Sequence, residues 1–74
     1  MENQKTSIMK VRWCLRFKGP FGWDYVWKKD RNGKVIGIRY WDSFSEFSKS
    51  VTERIDANPE MQFEILKETY YVKA

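Results

Sequence analysis

The chain has 74 residues, a formal charge of +4, a single cysteine and no histidine. That length suits one domain with a small core, and the missing histidine removes Ser-His-Asp and Cys-His catalysis and the common zinc-ligand sets. No apolar run approaches the roughly 18 residues of a membrane span, and a lone thiol fits a reducing compartment, so the expected setting is the cytoplasm of a bacterial host cell, away from membranes.

Residues 1–8 read as a flexible leading segment and 9–74 as a single α+β domain. From Met9 to Lys18 the alternation is strict, with Met9, Val11, Trp13, Leu15 and Phe17 on one face and Lys10, Arg12, Cys14, Arg16 and Lys18 on the other. Period two with aromatic and β-branched residues predicts a half-buried strand. Cys14 reads as a small packed side chain, because a nucleophilic thiol needs an activating base. Gly19, Pro20 and Gly22 break the strand. Trp23 to Lys29 alternates again, with Trp23, Tyr25 and Trp27 on one side. Asn32-Gly33 then predicts a tight hairpin turn, since both residues tolerate positive φ. Val35 to Trp41 forms the third expected strand.

The period then becomes helical. Ser43 followed by Glu46 matches a capping box, and Phe44, Phe47, Val51 and Ile55 make one apolar stripe. Asn58-Pro59 stops the helix, because proline disfavours helical geometry in the residue before it. Met61 to Val72 is the last strand. Its apolar phase shifts toward Leu66, Tyr70 and Val72, which predicts a bulge near Lys67. The order β-β-β-α-β predicts a four-stranded mixed sheet, order 4-1-2-3, with the helix on one face and the last strand parallel to the first through a right-handed crossover. Glu64 and Glu68 would then lie beside Arg12 and Arg16.

Nothing in this pattern predicts a catalytic centre, a metal site or a cofactor. The acids are scattered over turns and the helix surface, and the glycines form no phosphate-binding loop. The chain reads as a binding protein, not an enzyme. One helix covers one face of a sheet, and the expected layer (Trp13, Phe17, Tyr25, Ile36, Ile38, Phe44, Phe47, Val51, Ile55, Phe63 and Ile65) leaves aromatics such as Phe21, Trp41, Tyr70 and Tyr71 in surplus. Large rings left outside a core are common anchors of interfaces. Charge is also asymmetric: residues 1–40 carry ten bases and three acids, whereas residues 41–74 carry four bases and seven acids. The candidate partner-binding residues are Arg12, Arg16, Lys28, Lys29, Arg31, Lys34 and Arg39, together with Trp23, Trp27 and Trp41. Lys28, Lys29, Arg31 and Lys34 ring the Asn32-Gly33 turn, and such a tip can probe a groove or an acidic pocket.

Two layouts are similar. The segment from Trp13 to Ile55, with three strands, a Gly-containing hairpin and a Ser-capped amphipathic helix, resembles the three-stranded DNA-binding domains of a class of plant transcription factors and the arm-binding domains of tyrosine integrases. That resemblance implies contacts to DNA from Arg12, Arg16, Lys28 and Arg39. The whole chain resembles small phage-encoded anti-CRISPR proteins in size and layout, through the run Asn32-Gly33-Lys34-Val35-Ile36-Gly37, the helix from Ser43, and Asn58-Pro59 followed by a strand. It implies a phage or mobile-element inhibitor that docks on a host protein or nucleoprotein complex. Binding of DNA or RNA by the basic sheet face is the alternative, and a two-fold homodimer is a further open assembly.

Overall fold

A computed structural model describes residues 7–73. Its elements are β1 (Ser7–Gly19), β2 (Gly22–Tyr25), β3 (Trp27–Lys29), β4 (Val35–Ile38), α1 (Phe44–Ala57) and β5 (Phe63–Lys73). The α+β class holds, with one helix and mostly strands. The single four-stranded sheet does not. One sheet has three strands in the order β2-β1-β5, and β3 and β4 form a second, two-stranded sheet. The leading segment 1–8 falls outside the described residues except for Ser7 and Ile8, which belong to β1.

The division arises at Val26. Its N–H donates to the Leu15 carbonyl at 3.0 Å, while its carbonyl accepts from Arg39 N–H at 2.9 Å. One residue therefore serves two neighbours, and the expected strand from Trp23 to Lys29 bends there into β2 and β3. The third strand ends at Ile38 instead of Trp41. Beyond it, Trp41 takes the place next to β1 that a regular third strand would not reach, exchanging both backbone hydrogen bonds with Trp13 at 2.9 Å.

The last strand does lie beside the first, but antiparallel to it, from Phe17↔Phe63 to Ser7↔Lys73. A parallel return needs a helix running against β1. Here the helix starts near the middle of β1, where Trp41 is bridged, and ends near the Phe17 end, where Lys18 N–H reaches the Gln62 carbonyl at 3.0 Å. The short connection after Asn58 then leaves β5 only the antiparallel direction. The expected bulge near Lys67 is also absent, since the β1–β5 register is unbroken. The apolar phase of β5 shifts because Leu66 and Tyr70 face an arginine–aromatic layer on the outer side of the sheet, while Ile65 and Phe63 face the helix side.

The helix ends follow local chemistry. Ser43 Oγ accepts from Glu46 N–H at 3.3 Å, and Asn58 closes the helix with its backbone N–H on the Arg54 carbonyl at 3.0 Å and its side-chain amide on the same oxygen. Phe47 and Val51 are its buried residues. They pack with Leu15 and Trp41, flanked by Trp13, Val26 and Phe63. Several residues expected in that layer stand outside it: Ile36, Phe44, Ile55 and Ile65 are exposed. Tyr25 leaves it too. It pairs with Arg16, whose side chain points away from the helix. The outcome is a compact knot of aromatics under the helix and a long β1–β5 ribbon extending past it, in a molecule of 53 × 26 × 22 Å.

Candidate interaction surface

Two surfaces collect the candidate residues. The first is the face of β1 and β5 opposite the helix. Cross-strand register sets Arg12 opposite Glu68 and Arg16 opposite Glu64, and both pairs close as ion pairs. Arg16 Nε donates to Glu64 Oε1 at 2.7 Å. Aromatic rings enclose the guanidinium groups. Arg12 lies 3.7 Å from the Tyr40 ring centroid and 4.7 Å from that of Tyr70, and Arg16 lies 5.1 Å from Trp23 and 5.9 Å from Tyr25. These are cation–π geometries. Hydrogen bonding to Glu68 and Glu64 holds both guanidinium groups above their ordinary pKa.

Between the two arginines sits Cys14, buried, with its thiol pKa pushed up first by desolvation. Tyr40 is shifted upward for the same reason. The arginines of this face are therefore neutralised at its centre, while Lys10 and Lys18 on the same side stay exposed near its two ends. Two of the candidate cations are committed to carboxylates of the same molecule. Tyr40 is the residue that sequence reasoning missed here: it falls within the expected third strand from Val35 to Trp41, whereas β4 ends at Ile38 and the chain has left it by that point.

The second surface is the β3–β4 ribbon. Its turn differs from the expected two-residue Asn-Gly form. Gly33 N–H donates to the Asp30 carbonyl at 3.0 Å and Asp30 N–H to the Lys34 carbonyl at 2.9 Å, so three residues form the loop. Gly33 alone in the loop takes positive φ, at 84°, the geometry of a type I turn followed by a glycine bulge. Asp30 selects it. Its Oδ1 accepts from both Asn32 N–H at 2.9 Å and Lys34 N–H at 3.0 Å, a local side-chain cap on the turn. The one acid of the tip is thereby occupied with backbone donors.

Lys28, Lys29, Arg31 and Lys34 are all exposed on this ribbon, and no ion pair among the described residues reaches them. Arg39 follows at its base, exposed, with its guanidinium 4.7 Å from the Trp41 ring centroid. Trp27, Val35 and Ile36 on the same ribbon are exposed apolar side chains. Trp27 is oriented by its indole N–H, which donates to Asp24 Oδ1 at 3.0 Å, and it meets Tyr25 edge to face.

The four clustered cations and Trp27 thus come together. Arg12, Arg16 and Trp23 belong to the arginine–aromatic layer, with Trp23 exposed at its rim. Trp41 is corrected outright: at 7% exposure it is a core residue, packed on Phe47 with ring centroids 5.3 Å apart. Its parity in an extended third strand predicted an outward ring, and the bridge to Trp13 turns it inward. Phe21, counted among the surplus rings, is fully exposed on the turn between β1 and β2.

Among the described residues, no group of His, Cys, Asp or Glu is arranged to hold a metal ion, and no helix is long and apolar enough to cross a membrane. Comparison of the chain with protein-family models, curated proteins and solved structures found no match.

Proposed function

We propose that this chain is a non-catalytic binding protein that docks, through the β3–β4 ribbon, on an anionic surface of a host protein or nucleoprotein complex, in the manner of the small phage inhibitors it resembles in layout. One observation carries the reading: Lys28, Lys29, Arg31 and Lys34 stand exposed on the same hairpin as three exposed apolar residues, while Arg12 and Arg16 are tied to Glu68 and Glu64. Uncommitted charge steers an anionic partner toward the tip. Trp27, Val35 and Ile36 add exposed apolar area to the ribbon for such a contact to bury.

Direct nucleic-acid binding is the second reading, and the ribbon favours it over the sheet face first expected. A two-stranded β-ribbon fits the major groove, whereas the sheet face has its arginines neutralised.

The test is charge reversal of the tip, Lys28→Glu, Lys29→Glu, Arg31→Glu and Lys34→Glu, leaving Asp30, Asn32 and Gly33 to hold the turn. Wild type and variant are used as baits in bacterial lysate with and without nuclease, and in gel shifts with short labelled duplex and single-stranded DNA. The proposal expects a specific protein set that survives nuclease and is lost with the variant. Capture by both baits alike contradicts it. Binding to the bare duplex that falls steeply with salt favours the second reading.

A further inference from the structure

The outer edge of β5 is unpaired among the described residues over the strand's whole length, from Phe63 to Lys73. Backbone direction is fixed by the pairings of β1. Trp13 exchanges its bonds with Trp41, on the side away from β5. Odd-numbered residues of β1 therefore point away from β5 and even-numbered ones toward it. In β5 the odd-numbered residues Ile65, Lys67, Thr69 and Tyr71 accordingly present N–H and C=O groups outward. Sheet edges of this kind are usually blunted by proline, bulges, short length or charged side chains. Of these β5 has charges, Glu64, Lys67, Glu68 and Lys73, which restrict the register a partner strand can take. β5 has eleven residues with neither proline nor bulge.

The β1–β5 ribbon beyond the helix adds to this. From Ser7 to Arg12 its only partner among the described strands is β5, and two strands alone are marginal in water. On its helix side, paired Met9 and Tyr71 are 60% and 69% exposed, and Ile65 is 55% exposed.

We infer that β5 pairs antiparallel with β5 of a second copy about a two-fold axis at Thr69, joining two three-stranded sheets into one. Charge selects this register. A two-fold axis perpendicular to the sheet sets residues of like parity opposite each other, and registers centred on Lys67, Glu68 or Thr69 pair most of the strand. Centring on Lys67 opposes two lysines, and centring on Glu68 opposes two glutamates, each destabilising. Centring on Thr69 opposes no like charges: Thr69 meets Thr69, Glu68 meets Tyr70, Lys67 meets Tyr71, Leu66 meets Val72 and Ile65 meets Lys73. The occupant is a second copy because the same edge is self-complementary in this register, as a two-fold interface requires. This inference is independent of the ribbon's partner, and a dimer would present two ribbons at once.

Sedimentation equilibrium of the full chain over a concentration series tests it. Wild type is expected to dimerise. Thr69→Pro removes an outward N–H and no internal bond, and it should yield a folded monomer by far-UV circular dichroism. Tyr71→Lys sets two lysine pairs in opposition and should weaken dimerisation about tenfold; adding Lys67→Glu to it should restore the dimer, which only this register predicts. A wild-type chain monomeric up to about 1 mM, a dimer untouched by Thr69→Pro and Tyr71→Lys, or a failed rescue overturns the inference.

Discussion

Phe44 and Phe47 lie about one helical turn apart on one apolar stripe, yet they sit at different depths. Phe47 is 0% exposed and its ring meets Trp13, Trp41 and Phe44, whereas Phe44 is 57% exposed and meets the Trp13 edge at 5.3 Å. Truncating a buried phenylalanine costs about 3–5 kcal/mol. A chain of this length has about 4–11 kcal/mol in total. Phe47→Ala is therefore expected to remove a large share of the stability, and to unfold much of the population at 25 °C where the wild-type total lies at the low end of that range. Phe44→Ala removes less than half of a ring's burial, about 1.5–2.5 kcal/mol at 25 cal/mol per Å². Urea denaturation followed by far-UV circular dichroism measures both. If Phe44→Ala costs as much as Phe47→Ala, or if Phe47→Ala costs under about 1 kcal/mol, the core does not sit between Leu15, Trp41 and the helix, and the reasoning fails.

Alkaline pH should weaken the fold. The folded pKa values of Cys14 and Tyr40 lie above their ordinary 9.0 and 10.0 because of burial. The unfolded chain then loses these protons first, so stability is full below about pH 9 and declines as pH rises toward the folded values. Melting temperatures measured from pH 8 to 11 should fall for wild type and fall less for a Cys14→Ala, Tyr40→Phe double variant. Gly33→Ala should cost about 1–2 kcal/mol, because its φ of 84° strains any side chain although nothing lies within 4 Å of an added Cβ; thermal melts check this. Glu64→Gln with Glu68→Gln should change stability by no more than about 1 kcal/mol, and by the ribbon account it leaves partner capture unchanged. A gain in capture by that variant would locate binding on the sheet face instead.

The elements of this fold were legible because their signals are local. Alternation from Met9 to Lys18, the Ser43 cap and the Asn58-Pro59 stop each act within a few residues, and the strands and helix appear where they point. The surplus of rings was legible in part: Phe21 and Tyr71 are exposed as expected, whereas Trp41 is core, Tyr70 is half-buried and Phe44, expected in the core layer, is exposed. Pairing was not. The direction of β5 depends on where along β1 the helix begins, and that depends on the Trp13–Trp41 bridge between distant parts of the chain. The bend at Val26, a residue with one donor and one acceptor serving different strands, leaves no trace in hydrophobic period. The same bend explains the candidate site. It separates the turn-tip cations Lys28, Lys29, Arg31 and Lys34 from Arg12 and Arg16, so Lys28 and Lys34 do not share a basic sheet face with the two arginines. The pairing of those arginines with Glu68 and Glu64 was anticipated from charge, although through a parallel neighbour instead of the antiparallel one found.

The claim that recognition resides in the β3–β4 ribbon is tested most directly by site-specific photocrosslinking in bacterial lysate, with the photoreactive group placed either at Ile36 on the ribbon or at Thr52 on the exposed surface of the helix. The account predicts one dominant adduct from position 36 and none from position 52. An adduct from position 52 alone, or equal adducts from both, would contradict it.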